Sequence, residues 1–247
     1  GCGGNEDGSL GLGVTVGRYP VLTRIGEASN WIEVAGGGCY TEPNYTPTHS
    51  AHSLAINSYG ELYACGTNVN GQLGLGDTTL RNVFTRVGEA NNWVKASCGG
   101  LHSAAINSSG ELYAWGLNGE GQLGRGNTTG STIPVRAGSA SNWVDVACGR
   151  YHTIALNSSG ELYSCGYNRS GQLGQGNTTR LTTLTKIGSA TNWVKVATKH
   201  DHVVAYNSAN ELYTWGEGGS GQLGFDSTAD KTVPTLVGTY STILDVS

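Results

Sequence analysis

Methionine is absent from the 247 residues, phenylalanine occurs twice, proline five times, and only 13% of the residues carry charge. Each shortage closes a class. Five prolines and no three-residue glycine period exclude a collagen-like helix. A hydrophobic share of 37% with a net charge of −4 excludes a disordered chain, which combines low hydrophobicity with high net charge. Fourteen Lys and Arg against eighteen Asp and Glu leave no basic footprint for phosphate backbones, so no nucleic-acid partner is expected. No stretch reaches the ~20 apolar residues of a membrane-spanning helix, so no membrane span is expected. With neither an initiator methionine nor a secretory leader, residue 1 is expected not to be the biological start.

What is plentiful is glycine, at 40 residues, with twelve Tyr and six Trp. This combination points to β-structure with many tight turns. The chain also repeats itself. Gly-Gln-Leu-Gly begins at Gly71, Gly121, Gly171 and Gly221, a step of 50 residues. His52, His102, His152 and His202 keep that step, as do Glu61, Glu111, Glu161 and Glu211, each opening a Glu-Leu-Tyr triplet. Trp93, Trp143 and Trp193 follow it too, whereas Trp31 stands 62 residues before Trp93, so the first copy carries 12 extra residues between Ala35 and His52.

Within one copy the apolar pattern is that of short strands. Trp143 to Ala147 alternates, His152 to Asn157 forms a second run, and Glu161 to Cys165 follows a Ser-Ser-Gly turn. A Gly-rich loop then leads to a fourth run near Leu184 to Ile187. The turn reads as a hairpin whose last residue has positive φ, occupied by Gly60, Gly110, Gly160 and then Asn210, the residue next most tolerant of that region. A four-stranded unit that cannot bury its own faces must stack on copies of itself, and radial stacking of such units makes a β-propeller. The fold class is therefore all-β, a propeller of four-stranded blades of ~50 residues.

The register Trp-Val-x-Val-Ala-x-Gly-x-x-His, then a strand and turn, then Gly-Glu-Leu-Tyr-x-Trp-Gly-x-Asn-x-x-Gly-Gln-Leu-Gly, resembles the repeat of the regulator of chromosome condensation family. The resemblance runs through essentially the whole chain. It implies a seven-bladed propeller and leaves function open among guanine nucleotide exchange on the small GTPase Ran, ultraviolet-B sensing, β-lactamase inhibition and interaction domains of larger proteins.

Residues 2–64, 65–114, 115–164, 165–214 and, in part, 215–247 give about 4.7 repeats of a single propeller domain over 1–247, incomplete at both ends. Cys2 to Gly11 aligns without gaps to Cys65 to Gly74, a third strand, and Ile243 to Ser247 aligns to Trp93 to Ser97, a first strand. Seven blades of ~50 residues need about 350, so the remainder of the same propeller is expected outside this window.

The recurring residues read as scaffold. Gly71 to Gly76 has the order G-x-x-G-x-G between strands, not the G-x-G-x-x-G of a dinucleotide loop before a helix. The four His sit at one place, the start of the second strand, and are expected to tie adjacent loops through backbone hydrogen bonds and to hold no metal. The Glu of each Glu-Leu-Tyr triplet follows a tight turn and is read as turn-capping, not catalytic. Cys2, Cys65 and Cys165 stand where Trp115 and Trp215 stand in other copies, Cys98 and Cys148 where Thr198 stands. Without a C-x-x-C pair they read as buried free thiols; Cys39, in the insertion, is the exception. The Asn-x-Ser/Thr sequons recur because the turns recur, so they say little about glycosylation.

The variable positions carry the functional information. In a four-strand antiparallel blade the first-to-second and third-to-fourth connections share one end. The other end hardly varies: Ser58-Tyr59-Gly60, Ser108-Ser109-Gly110 and Ser158-Ser159-Gly160. The first end differs in every copy, and the insertion lies there. Aromatic residues and Arg are the usual anchors of interfaces. The candidate partner-binding set is Tyr40, Glu42, Tyr45, Leu101, Arg150, Tyr151, Tyr167, Arg169, Lys199, His200 and Asp201.

These features favour a non-enzymatic scaffold that binds a protein or other macromolecule through one rim, with no cofactor. Two alternatives stand beside it. The low charge and Gly, Asn, Ser and Thr richness fit a structural or adhesive component of a virus particle or extracellular surface. The family resemblance also allows a guanine nucleotide exchange factor, although no exchange motif matches residue by residue. Ultraviolet sensing is disfavoured, because Leu101, Tyr151 and Asp201 stand where that branch of the family places Trp.

Overall fold

The computed structural model describes residues 2–15, 17–26, 28–39 and 50–246. The unit that recurs is a hairpin built by asparagine. Asn107 Oδ1 accepts the backbone N–H groups of Ser109 at 3.1 Å and Glu111 at 3.0 Å, and Gly110 closes the turn at φ +72°. Asn57, Asn157 and Asn207 do the same. In the last copy Asn210 takes the closing place at φ +57°, as its tolerance of the left-handed region allows.

Each hairpin forms the middle of a four-stranded antiparallel sheet. The first sheet is β3 (Trp31–Cys39), β4 (Ser50–Asn57), β5 (Leu62–Gly66) and β6 (Arg81–Arg86). The second is β7 (Trp93–Cys98), β8 (His102–Asn107), β9 (Leu112–Gly116) and β10 (Ser131–Arg136). The third is β11 (Trp143–Cys148), β12 (His152–Asn157), β13 (Leu162–Gly166) and β14 (Leu181–Lys186). The fourth is β15 (Trp193–Lys199), β16 (His202–Asn207), β17 (Glu211–Gly216) and β18 (Lys231–Thr239). A two-stranded sheet, β1 (Gly3–Gly4) and β2 (Arg18–Tyr19), precedes them and corresponds in sequence to a third and a fourth strand. Among the described residues there is no helix, and so none long and apolar enough to cross a membrane.

The fourth strand starts earlier than its apolar run suggests. A register shift between Ser164 and Gly166 brings Leu181 opposite Gly166, which draws the polar residues before Leu184 into the strand. Residues 243–246, aligned with a first strand, are not a strand; no second strand lies beside them among the described residues, so no ladder forms.

The cores lie between blades, not within them. Leu54, Ile56, Leu62, Leu73 and Val87 of the first blade pack on Trp93, Ala96 and Trp115 of the second. Ile106, Leu112 and Leu123 meet Trp143 and Val146, and Ile154, Leu156, Leu162 and Ile187 meet Trp193, Val196 and Trp215. Burying such a side chain contributes roughly 1.5–3 kcal/mol, so a blade without its neighbour forfeits most of its hydrophobic stabilisation. Each leading Trp also meets a Tyr edge-on, as in Trp143 and Tyr163 with centroids 5.1 Å apart.

Two positions vary in concert. Trp115 and Trp215 face fourth strands carrying Pro134 and Pro234, whereas Cys65 and Cys165 accompany Phe84 and Leu184. The contacts around the loop glycines bring these partners together: Gly11 abuts Phe84 and Cys65, Gly124 abuts Leu184 and Cys165, and Gly174 abuts Trp215 and Pro234. A large fourth-strand residue thus replaces the volume lost from the third strand, as close packing demands.

The Gly-Gln-Leu-Gly loop reaches forward onto the next blade. Gly76, Gly126 and Gly176 donate backbone hydrogen bonds to Thr132, Thr182 and Thr232 of that blade at 2.7–2.8 Å. Gly71 has φ +78°, and a Cβ there would lie 2.7 Å from Thr132 Cα. Gly138 has φ +77° but no atom within 4 Å of its Cβ position. Gly138→Ala is therefore expected to cost only the left-handed penalty of about 1–2 kcal/mol. Gly71→Ala adds a clash with another blade's backbone and should cost clearly more. Urea denaturation of both variants checks this; equal losses would show that the loop does not staple the blades.

Candidate functional site

One end of the blades collects the variable connections that lie among the described residues. The first-to-second connection lies beside the start of the third-to-fourth connection in every blade, through Thr67 N–H to Ala51 O at 2.9 Å, Leu117 to Leu101 at 2.9 Å, Tyr167 to Tyr151 at 2.9 Å and Glu217 to Asp201 at 2.8 Å. Across blades the same loops are joined: Gly100 donates to Gly149 O at 3.1 Å and Arg150 to His200 O at 2.8 Å. This rim surrounds a cavity of about 910 Å³ where the first strands converge, lined by Gly37, Cys98, Gly99, Gly149, Arg150 and Lys199 among others.

Beneath the rim runs a hydrogen-bonded relay between blades. Ser103 Oγ donates to Gln72 O at 2.7 Å and Thr153 Oγ1 to Gln122 O at 2.8 Å. Each hydroxyl has thereby spent its proton, so the His that meets it must donate: His52 Nε2 to Ser103 at 2.8 Å and His102 Nε2 to Thr153 at 2.9 Å. At the last junction Val203 offers no hydroxyl; His152 Nε2 donates instead to Thr198 Oγ1 at 2.9 Å, which passes its proton to His202 O. The rings are thus neutral and protonated on Nε2. The sequence suggested backbone partners; the structure interposes a hydroxyl between ring and carbonyl. Each imidazole serves one junction, and no group of three metal-ligating side chains forms among the described residues.

The main-chain carbonyl of each loop Gln also takes an indole or thiol donor, beside the hydroxyl at Gln72 and Gln122. Trp115 Nε1 donates to Gln72 O at 2.9 Å and Trp215 Nε1 to Gln172 O at 3.0 Å, while Cys165 Sγ lies 3.5 Å from Gln122 O. Trp and Cys alternate at this place because both offer a donor from a mostly apolar side chain. Cys65, Cys98, Cys148 and Cys165 are free and buried, and burial pushes the Cys65 and Cys148 thiols up to about 12. Cys2, expected to be buried with them, is free and exposed, since no loop of a preceding blade covers it among the described residues.

The Glu residues of the triplets are turn clamps. Glu161 Oε2 accepts from Asn157 at 2.8 Å and Tyr163 at 3.1 Å, and Lys186 pairs with Oε1 at 2.5 Å. The Lys186 and Asn157 hydrogen bonds lead in holding this carboxyl down at about 2. All four sit at the conserved end, away from the rim.

On the rim the structure gathers five of the candidates. Arg150 lies over the ring of Tyr151, 5.3 Å from its centroid. Tyr151 meets Tyr167 edge-on at 6.3 Å and 73°. Burial, with smaller contributions from Asp201 and Glu120, pushes the Tyr167 hydroxyl up against the opposing charges of Arg169 and Arg150, which places these four charged groups within electrostatic reach of one phenol. Lys199, the last residue of β15, and His200, in the turn that follows, are exposed, with His200 at φ +53°. Leu101 stands apart on the second blade. Tyr40, Glu42 and Tyr45 lie outside the described residues.

Sequence reasoning passed over Gln72, Gln122 and Gln172, whose side chains are 0% exposed, and Asn68, Asn118 and Asn168, which accept the N–H of the loop Leu at 2.9 Å. A search for variable positions discards residues identical in each copy. The signal available was that identity itself, in a loop where glycine alone would have made the turn.

The relay makes stability depend on pH. Burial lowers His52 to about 4 and His102 and His152 to about 3, whereas the unfolded rings titrate near 6.5. Between these limits the unfolded chain binds more protons, so stability is complete above about pH 6.5 and falls as pH drops towards 4, by about 1.4 kcal/mol per pH unit for each ring. The clamping carboxylates act only below their ordinary value near 4.3. Melting curves from pH 7 to 5 are expected to show this loss, and His102→Gln should flatten the slope by about one proton's worth. An unchanged slope would disprove the relay's titration.

The fold and its relatives agree. The structure is similar to that of human WBSCR16, with a TM-score of 0.80 and 24% identity over 95% of this chain and 61% of that one. It is similar to Prp20p of Saccharomyces cerevisiae, with a TM-score of 0.76 and 23% identity over 93% of this chain and 55% of that one. Yeast RCC1 (Prp20) in its complex with Kap60 gives 0.71 and 24%, over 91% and 51%. The chain thus spans about half to three fifths of each of these neighbours. No curated protein matches the sequence. The RCC1-like domain family matches residues 2–247, and with blades, relay and staple loops all in that register, the chain belongs to the RCC1-like domain family.

Proposed function

We propose that this chain is a non-enzymatic interaction scaffold, part of a single propeller domain, that binds a protein through its variable rim. The observation that carries the reading is a division of labour. Side chains identical between blades are consumed in relay, clamp and core, whereas Arg150, Tyr151, Tyr167 and Arg169 form an aromatic and cationic cluster that is not repeated in another blade among the described residues. Loops fixed by backbone bonds at 2.8–3.1 Å hold the cluster in place, and preorganised aromatic and Arg side chains are the usual sources of binding energy.

The relatives support a protein as the partner class. Prp20p was studied for its binding to Gsp1p and histones, and yeast RCC1 has been captured with Kap60. A nucleotide exchange factor for a small GTPase is the second reading, favoured by family membership, and an exchange assay separates the two. Neither the fold nor the comparisons add support to a virion or extracellular surface role.

Alanine substitution of Arg150, Tyr151, Tyr167 and Arg169 tests the rim. Each single variant is expected to keep its melting temperature within a few degrees, and the strongest to weaken binding to proteins that co-purify with the wild-type chain about 30-fold, the equivalent of ~2 kcal/mol. Tyr59→Ala, at the opposite end and 73% exposed, should leave binding unchanged. Undiminished binding in all four rim variants would refute the proposal.

A further inference from the structure

Two places fill each junction between blades beside the shared core. One is the residue directly after Gly-Gln-Leu-Gly, which is Leu75, Arg125 and Gln175 in turn; the other follows the fourth strand and is Val87, Ala137 and Ile187. At the first junction Leu75 packs on the cluster that holds Val87 and Trp115. At the third, Gln175 Nε2 donates to Ser164 Oγ at 3.1 Å and to the carbonyls of Thr185 and Lys186 at 3.2 Å, and Ile187 and Trp215 complete the core. The second junction is filled by neither device. Arg125 is too polar to act as Leu75 does, and Ala114 stands where Gln175 finds Ser164. Leu184 makes up for Cys165 in the place of Trp, but Ala137 in the place of Val and Ile has no such compensation.

A cavity of about 520 Å³ lies at this junction, with Ala137, Trp143, Tyr163 and Leu184 as apolar walls and Arg125 and Asn127 also lining it. That volume is in the range of small-molecule sites, about 300–1,000 Å³. Its charge is one-sided. Among the described residues no Asp or Glu lines the cavity, and the half-buried Arg125 side chain is in no ion pair or hydrogen bond. The other cation there, Arg136, is neutralised by Glu111 at 3.1 Å. Asn127 Oδ1 is taken by the N–H of Thr129 at 3.0 Å and the amide of Asn118 at 3.2 Å, which leaves Nδ2 as a donor. Missing side-chain volume and an unneutralised cation thus meet in one cleft, and a guanidinium beside an amide donor is suited to a carboxylate.

We propose that the cleft between the second and third blades binds a small organic acid with a flat apolar body. The body lies against Ala137, Trp143, Tyr163 and Leu184, and the carboxylate meets Arg125 and Asn127. This site is separate from the rim, since the connection from Ala137 to Trp143 belongs to the conserved end, and it does not rest on the rim being an interaction face.

Nuclear magnetic resonance of the full chain, isotope-labelled at the indole nitrogens and titrated with hydrocinnamate, tests it; the uncharged hydrocinnamamide is the control. Trp143→Phe identifies the Trp143 signal. Hydrocinnamate is expected to move that signal with a Kd in about the millimolar range and to leave those of Trp93 and Trp193, which hold the same place at the other junctions. Hydrocinnamamide should bind at least about tenfold more weakly. Arg125→Gln and Ala137→Val each introduce the residue of a neighbouring junction, so both are expected to fold, as the remaining indole signals will show. Each should weaken binding at least about tenfold, the first by removing the charge and the second by filling the cleft. Ala137→Val should also keep or raise the melting temperature. No response of Trp143 at tens of millimolar hydrocinnamate, equal binding of acid and amide, or undiminished binding by either variant would overturn the site. So would an acidic peptide that moves the Trp143 signal where the free acid does not, because the occupant would then be a protein segment.

Discussion

The main-chain carbonyl of the loop glutamine is the point on which the architecture turns. At Gln72, Gln122 and Gln172 it sits at a blade boundary and receives protons from the blade that follows: a hydroxyl in two cases and an indole or thiol in all three. Where the hydroxyl is present, it is fed in turn by a buried imidazole. A carbonyl in that position would be costly to bury unpaired. Turn, hydroxyl and ring are therefore coupled, and none can change alone without leaving a polar group stranded.

The hydrophobic term follows the same boundaries. Every core cluster has one wall from each of two blades, so stability is close to a sum over junctions and not over blades. Within a junction, composition is negotiable when volume is kept. The pairing of Trp115 with Pro134, and of Cys165 with Leu184, shows side-chain bulk moving from third strand to fourth. Proline is tolerated there because the fourth strand is an edge, where a missing N–H breaks no ladder.

Much of this was legible in the amino-acid order because the fold states itself four times. The 50-residue step exposed the hairpins, the positive-φ turn residues and the leading Trp of each blade, and comparing copies separated scaffold from variable rim. The exact start of the fourth strand was not legible, since a register shift in the ladder draws polar residues into it. Nor was the partner of each His, because a Ser or Thr beside a strand His looks like any other strand residue until the next blade's carbonyl is in place. On the rim, the nearness of Tyr151 to Tyr167 follows from the antiparallel pairing of their loops. The buried state of Gln122 does not; it depends on contacts between residues of different blades.

The forward reach of each Gly-Gln-Leu-Gly loop gives the array a direction. Gly126 bonds to Thr182 and Gly176 to Thr232, always from an earlier blade to a later one. Synthesis from the N-terminus therefore completes each staple before the surface that it grips has been made. The earlier blade supplies the glycine N–H, and the carbonyl that accepts it belongs to residues made about 50 positions later. Each forward loop thus meets the blade that follows it in the sequence, and the staples give the array a polarity that runs with the chain. Near-identical neighbours in one chain invite pairing out of order, and a polarity shared by all the staples is a feature that only the in-order arrangement satisfies along the whole array.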